Sequence, residues 1–418
     1  MFRFKNSQKT NELKTVAVIF GGESCEAEVS VITGIMALNL VDKKEYFPMP
    51  VYYAKNGKFY TGDVLYDTDF YKEPNLNLLK EITFLYGGAY FTAGALKLYK
   101  KVAIVINCLH GGLGEDGSLA GYFNVAKIPF LSPPIFAQSV TFDKIKTKTF
   151  MQGIGVKTVD YLAVYSGENA VLSAKKCVQK LGLPLIIKPA TLGSSIGIRV
   201  ARDEEDVILA LINAFKYSDG VLVEKFMENA TEINCAVYKE RGEIKTSPCE
   251  KPLSKNALLT FEDKYFSGER EFPAKIPNAL ANKIQLATKK VYDKLFAQGI
   301  IRIDYLVVNQ TVYLNEVNSV PGSLSYYLLS DSLSDFKLLL KSLIEDTLTE
   351  FNKQNSFVKT FNSNILSSGF GKGCKKAAQN KAQDKSQNKA QDIGQNSGDG
   401  DAKSKDISSG ESNVKGQS

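Results

Sequence analysis

Histidine occurs once in the 418 residues, at His110, and tryptophan not at all. A single imidazole excludes multi-histidine metal centres and leaves any Ser-His-Asp triad only one possible base. Six cysteines, Cys25, Cys108, Cys177, Cys235, Cys249 and Cys374, stand far apart with no C-x-x-C among them. Neither a zinc ribbon nor a disulfide scaffold is indicated, and a reducing cytoplasm fits. Long apolar runs are missing too: the polar start MFRFKNSQKTNELK leads into Val16 to Phe20, far shorter than a signal-peptide core or a membrane span. Neither export nor membrane insertion is expected. No charge of one sign dominates, since 52 Lys and Arg against 45 Asp and Glu leave +7. That excess suits a small anion such as a nucleotide and is too weak for a nucleic-acid groove. A Walker A loop, G-x-x-x-x-G-K-[ST], is absent, so any nucleotide site must be of another type.

What is present is an ordinary globular composition, 44% hydrophobic and 23% charged. At about 150 residues per domain the length suggests roughly three domains. Residues 14 to 132 alternate short apolar runs with amphipathic stretches: Val16 to Phe20, Glu26 to Val41, Phe47 to Tyr53 and Val102 to Leu109. This order reads as βαβ units on a parallel sheet, and Asn56-Gly57 adds a hairpin signal that makes part of the sheet antiparallel. Residues 133–227 carry helical stretches after the plausible N-caps Asp143 and Asp203, with strands at Leu185 to Lys188 and Val221 to Lys225. From 228 to 350 a helix is expected near Ala279 to Phe296, and a hairpin from Ile300 to Val308 and Val312 to Val317. The expected division is thus 1–132, 133–227 and 228–350, with 351–418 a linker and tail. Within it, 369–418 repeats QNKAQD and lacks apolar anchors, which reads as disorder.

Five segments can carry chemistry. Gly21-Gly22-Glu23-Ser24-Cys25-Glu26 closes the first strand, where open α/β sheets place their ligands. Glu26 is suited to an ammonium, and equally to starting a helix. His110-Gly111-Gly112-Leu113-Gly114-Glu115-Asp116-Gly117 contains G-x-G-x-x-G, but Glu115 and Asp116 would repel a pyrophosphate, so a dehydrogenase is rejected. His110, at a strand end in a glycine loop, is placed to meet a ligand. Lys188 follows three aliphatics and needs an anion if buried; phosphate oxygens would satisfy it. Lys144 opens a helix crowded with lysines, where a solvated face is the competing reading. Beside Lys188, Gly193-Ser194-Ser195-Ile196-Gly197 is a loop whose amides can wrap phosphates. Val221 to Met227 offers main-chain edges and apolar side chains to a purine, with Glu232 for ribose hydroxyls, although core packing explains the same run.

The fifth segment has the most telling residue chemistry. Arg302-Ile303-Asp304 on one run faces Asn315-Glu316-Val317-Asn318 on the next, followed by Pro321-Gly322. Two carboxylates and an amide oxygen are hard donors of the kind magnesium takes when it also carries phosphates and water. Unneutralised, two carboxylates at 4 Å repel by about 4 kcal/mol at an effective dielectric of 20. Side chains alternate along a strand, so placing Asp304 opposite Glu316 and Arg302 opposite Asn318 calls for an odd loop such as Asn309-Gln310-Thr311.

Taken in order, GGESCEAEVS, HGGLGEDG, Asp143-Lys144, IIKPATLGSSIG, VEKFM, FEDKY, RIDY and NEVNSVPG resemble the D-alanine:D-alanine ligases of the ATP-grasp superfamily, from about Lys14 to Glu350. The resemblance implies α/β and α+β folding in a three-domain ATP-grasp architecture with a Rossmann-like N-terminal domain. It implies ATP held by Lys144 and Lys188, with Glu224, Lys225, Phe226 and Met227 lining the adenine, Glu232 the ribose, and Lys264 and Asn315 completing the nucleotide site. Asp304, Glu316 and Asn318 would bind two Mg2+ or Mn2+ ions. Glu26 would orient the ammonium of the first D-alanine, with His110 nearby, while Ser194 and Tyr265 link to Glu26 and close a loop containing Lys264. Arg302 and the Gly322 amide would stabilise developing charge. Tyr327 and Leu328 align with a serine and leucine that in many members hold the second substrate's carboxylate, with Ser325 as a neighbouring substitute. Further departures are Ala27, where His or Arg is common, and Thr191-Leu192, where Arg-Glu is frequent. The implied product is D-alanyl-D-alanine for peptidoglycan, made by a cytoplasmic homodimer with no nucleic-acid or membrane partner. Alternatives are another carboxylate-amine ligase, a D-alanine:D-lactate ligase, which Tyr265 disfavours, or a nucleotide-binding module without turnover.

Overall fold

The apolar runs become strands of three larger sheets and one short ribbon in a computed structural model that describes residues 13–253 and 269–364. Lys264, Tyr265 and the 369–418 repeat tract lie outside the described residues.

The first sheet contains β1 (Lys14–Gly21), β2 (Tyr46–Tyr53), β3 (Phe59–Thr61), β4 (Lys80–Leu85), β5 (Gly88–Phe91), β6 (Lys97–Asn107) and β7 (Phe130–Leu131), with helices α1 (Ala27–Leu40) and α2 (Ser118–Val125). Its core is parallel, β1 lying between β2 and β6 and β7 beyond β6. The antiparallel strands β3 to β5 connect β2 back to β6. The Asn56-Gly57 turn indeed folds β3 back on β2. Val16 to Phe20 are wholly buried, as a parallel strand covered on both faces must be. Both glycine-rich loops therefore leave the same sheet from the C-terminal ends of adjacent strands, β1 and β6.

Next come α3 (Ile135–Phe142), α4 (Lys144–Gly153), β8 (Tyr161–Tyr165), α5 (Ala170–Leu181), β9 (Leu185–Pro189), β10 (Arg199–Ala201), α6 (Glu204–Ala214) and β11 (Gly220–Lys225). The strands form a sheet of order β10-β9-β11-β8. Asp143 caps α4 by accepting from the Ile145 and Lys146 amides, and Asp203 caps α6 by accepting from Asp206, which satisfies donors that a helix N-terminus otherwise orphans.

The last block is β12 (Thr231–Glu240), β13 (Glu243–Thr246), β14 (Lys251–Pro252), β15 (Arg270–Glu271), α7 (Asn278–Lys294), β16 (Ile300–Val308), β17 (Thr311–Asn318), α8 (Tyr326–Leu329) and α9 (Leu333–Ser356). Its sheet runs β13-β12-β16-β17 and α7 packs on one face. Helix α9 returns to the first sheet, burying Phe336, Leu339, Leu340, Leu343 and Ile344 in the core that holds Val16, Val18 and Phe20. At about 1.5–3 kcal/mol per fully buried large apolar side chain, this contact fastens the last block to the first. Among the described residues no helix is long and apolar enough to cross a membrane.

The β16–β17 hairpin corrects the loop expectation. Val308 pairs with Thr311, so the loop is the two residues Asn309 and Gln310, both in the left-handed region at φ 47° and 59°, as tight hairpin turns demand. Carried straight on, that register would put Asp304 and Glu316 on opposite faces. Instead Tyr305 pairs with Leu314 and Asp304 with Glu316, leaving Asn315 as an extra residue in β17. This β-bulge shifts the strand by one residue, and Arg302 pairs with Asn318 and Asp304 with Glu316 as chemistry required.

Candidate active site

The site is assembled where these blocks meet, around a cavity of about 510 Å3. The first block contributes Glu26, His110, Gly111 and Glu115; the second, Lys144 and the 191–194 loop; the third, Glu232, Glu250, Arg270, Arg302, Asn315, Glu316, Asn318, Gly322 and Tyr327.

On the hairpin, Arg302 grips Asp304 with two parallel bonds, Nε to Oδ1 at 2.7 Å and Nη2 to Oδ2 at 2.9 Å. Asn318 Nδ2 also donates to Asp304 Oδ2, at 3.0 Å. Such forked pairs fix direction as well as energy. Burial pushes the Arg302 guanidinium down, but Asp304 outweighs it and holds the group charged. The bulge residue Asn315 turns its Oδ1 to accept from Lys188 Nζ at 3.0 Å. The irregularity that restores the register thereby ties the third sheet to the second.

Lys188 needed an anion, and in the structure that anion is Glu224. Glu224 Oε2 lies 2.7 Å from Lys188 Nζ, and Oε1 lies 2.5 Å from Lys148 Nζ. All three side chains are buried. Burial alone would raise the Glu224 carboxyl, but the two ammonium groups hold it below the usual carboxylate range. Lys148 is depressed, chiefly by burial. Two cations and one anion leave this cluster with a net positive charge suited to a phosphate. Lys144 Nζ donates to the Leu192 carbonyl at 2.5 Å, so it reaches the cavity rather than solvent.

Across the cavity, the loop after β9 meets the loop after β1. Ser194 Oγ donates to Glu26 Oε1 at 2.5 Å. A side chain at Gly193 would put its Cβ 2.7 Å from Glu26 Oε2, so this approach requires glycine. His110 is buried; its Nε2 lies 2.9 Å from Thr33 Oγ1, which in turn accepts from the Ser323 amide at 2.9 Å. Burial holds the imidazole below its usual range, and the group is neutral near pH 7. Glu115 accepts from the Gly111 amide at 2.9 Å and from Ser319 Oγ at 3.0 Å. Burial and the nearby Glu26 push its carboxyl up to about 7.

The remaining expected residues are placed as follows. Phe226 is buried, with its amide bonded to the Pro184 carbonyl at 2.9 Å. Lys225 and Met227 line a second, wider cavity of about 1180 Å3, bounded also by the end of α4 and by α7. Tyr327 lines the first cavity, whereas Leu328 and Ser325 are buried and do not. Sequence reading missed Lys148, Glu115, Thr33, Glu250 and Arg270. Lys148 sits in a lysine-rich helix that reads as solvated, and only its position four residues after Lys144, on the same helix face, hinted at burial.

Similarity to known proteins gives the family. The family description "D-ala D-ala ligase N-terminus" matches residues 15–133, and "D-ala D-ala ligase C-terminus" matches residues 150–349. A D-alanine--D-alanine ligase of Thermosipho melanesiensis is 34% identical over 366 residues, covering 85% of this chain and 99% of that protein. The chain belongs to the D-alanine--D-alanine ligase family. A Campylobacter jejuni ligase is 35% identical over 325 residues, covering 75% of this chain and 89% of its own. The crystal structure of the Helicobacter pylori D-alanine-D-alanine ligase superposes with a TM-score of 0.68 at 30% identity, covering 80% of this chain and 98% of that one. The mixed α/β architecture is therefore the ATP-grasp fold of these ligases.

The ligase family's chemistry can be tested against the donors present. Among the described residues no three His, Cys, Asp or Glu converge as a protein-only metal cage. Asp304, Glu316 and Asn318 instead supply two carboxylates and one amide from paired strand ends. That set fits a magnesium-sized cation that keeps water and takes its remaining oxygens from phosphates.

Proposed function

We propose that this chain joins two D-alanines with ATP, through a D-alanyl phosphate, to supply D-alanyl-D-alanine for peptidoglycan in the cytoplasm. The observation that carries the reading is the bulge-corrected hairpin: Arg302, Asp304, Glu316 and Asn318 stand together at one end of it, and Arg302, Glu316 and Asn318 line the same cavity as Glu26, which is bonded to Ser194.

In this reading Glu26 receives the ammonium of the first D-alanine, and Ser194, with Tyr265, holds Glu26 in place. Lys144 and Lys188 take ATP phosphates, with Glu224 to Met227, Glu232, Lys264 and Asn315 around the nucleotide. Asp304, Glu316 and Asn318 would hold magnesium or manganese, two ions by family resemblance, which neutralise phosphate charge when bound. The carboxylate of the first D-alanine attacks the γ-phosphorus, releasing ADP and leaving an acyl phosphate. The amine of the second D-alanine attacks the acyl carbon and gives up a proton, and phosphate departs with the carboxylate oxygen that had attacked the γ-phosphorus. Arg302 and the Gly322 amide stabilise charge that develops on oxygen in both steps. Enclosure between the blocks protects an acyl phosphate from water. A division at 132 and 227, and assembly as a homodimer, accompany this reading on the same resemblance.

The test is ADP, phosphate and dipeptide release from ATP and magnesium with D-alanine, L-alanine or D-lactate. The expected result is one phosphate per dipeptide with D-alanine alone. ATP hydrolysis indifferent to D-alanine, or turnover only with another amino acid, rejects the proposal.

A further inference from the structure

Resting on the ligase reading above, we infer that Arg270 receives the carboxylate of the second D-alanine, using the Tyr327 ring as its platform. Among the described residues, three cationic side chains line the cavity: Lys144, Arg270 and Arg302. Lys144 is engaged with the Leu192 carbonyl, and Arg302 is clasped to Asp304 by two bonds. Arg270 makes no hydrogen bond among the described residues. Its guanidinium lies over Tyr327, 4.3 Å from the ring centroid, and its Nε is 3.9 Å from Glu250 Oε1.

This arrangement fits a carboxylate by elimination and by shape. Stacking on an aromatic face leaves the edge of a guanidinium open, and that edge presents paired N–H donors at carboxylate spacing. The ribbon in which Arg270 pairs with Pro252 fixes the backbone, and both residues line the cavity. Tyr327 also touches Arg302; burial opposes ionisation of the phenol and outweighs the Arg302 charge, which favours it. The platform thus joins Arg270 to the group assigned to the reacting centre. Glu250, buried beside Arg270 and bonded to Asn234 Nδ2 at 3.2 Å, places negative charge one side chain away. An amino acid offers a carboxylate for Arg270 and an amine for the Glu250 side. The inference also accounts for the departure at Tyr327-Leu328: Leu328 and Ser325 do not reach the cavity, whereas Tyr327 does and serves there as the platform for Arg270.

The experiment compares wild type with Arg270→Gln and Arg270→Lys. Acceptor use is read from dipeptide formation with D-alanine and with D-alaninamide, which lacks the carboxylate. The donor step is read separately, from D-alanine hydroxamate formed when hydroxylamine traps the acyl phosphate. Arg270→Gln is expected to raise the KM for acceptor D-alanine about 10–100-fold, the scale of a lost charged bidentate contact. It is expected to abolish the preference for D-alanine over D-alaninamide while hydroxamate formation and the KM for ATP stay within about twofold. Arg270→Lys recovers part of the preference, and Tyr327→Ala, which keeps the cation without its platform, loses part of it. A retained preference in Arg270→Gln, or a change in ATP or donor use instead, overturns the inference. Failure of wild type to form dipeptide would reject the ligase reading itself, so the two failures are distinguishable.

Discussion

Replacing Glu224 with glutamine removes the one anion between two buried ammonium groups. Glu224 lies 2.5 Å from Lys148 and 2.7 Å from Lys188, with side-chain exposures of 2%, 0% and 9% respectively. Breaking a buried ion pair by deleting one partner costs about 3–5 kcal/mol, because the surviving charge is left uncompensated. At roughly 2–4 °C per kcal/mol this lowers the melting temperature by about 10 °C. Lys148→Met should cost less than half as much. It leaves Glu224 paired with Lys188, removes the repulsion between Lys148 and Lys188, and fills the space with an unbranched apolar chain. The sign of the pH response follows from linkage. Lys148 is depressed chiefly by burial, so the folded state binds fewer protons than the unfolded state as pH approaches 10.5, and stability rises with pH there. Without Glu224 this effect grows, and the Glu224→Gln deficit should shrink as pH is raised from 7 towards 10. Urea unfolding of both variants across that range is the assay. A Lys148→Met loss equal to that of Glu224→Gln, or a Glu224→Gln deficit that does not change with pH, refutes the charge argument.

Deleting Asn315 removes the bulge but leaves Leu314 opposite Tyr305, Glu316 opposite Asp304 and Asn318 opposite Arg302 in an unbroken ladder, so only the Asn315 bond to Lys188 is lost. D-alanine-dependent phosphate release should fall by about 10–100-fold, the scale of one hydrogen bond to a charged group, and a loss beyond about 1000-fold would contradict the register argument. Gly193→Ala brings a methyl group to 2.7 Å from Glu26 Oε2 and should raise the KM of the first D-alanine with little change in overall stability, as read by steady-state kinetics and thermal unfolding. Glu115, pushed up to about 7, keeps a proton when folded that the unfolded chain releases near the ordinary carboxylate range. Its contribution therefore falls by about 3 kcal/mol between pH 4.5 and 7. Glu115→Gln should flatten that part of the stability profile; a wild-type-to-variant difference that is constant with pH would reject the assignment.

Much of this was legible wherever the determinant is local. Asp143 and Asp203 cap their helices as read, and the strand Ile300–Val308 has the expected bounds. The pairing of Asp304 with Glu316 followed from the need to put charge on one face, but the means did not. No glycine or proline marks Asn315 as a bulge, and two left-handed residues, Asn309 and Gln310, replace the three-residue loop. The burial of Lys148 was hidden because Lys-Ile-Lys-Thr-Lys reads as a solvated face, and only the partner Glu224, 76 positions later, shows otherwise. Arg270 was equally silent, since its meaning depends on Tyr327 arriving from a distant helix. Long-range packing, such as α9 against β1, has no local signature to read.

The most direct test of the central claim follows one atom. If the hairpin and the Glu26 loop position D-alanine to attack ATP through its carboxylate, D-alanine labelled with 18O in that group must lose one labelled oxygen to the phosphate for each dipeptide formed. Mass spectrometry of the released phosphate should show a single 18O. Unlabelled phosphate accompanying dipeptide would contradict the account.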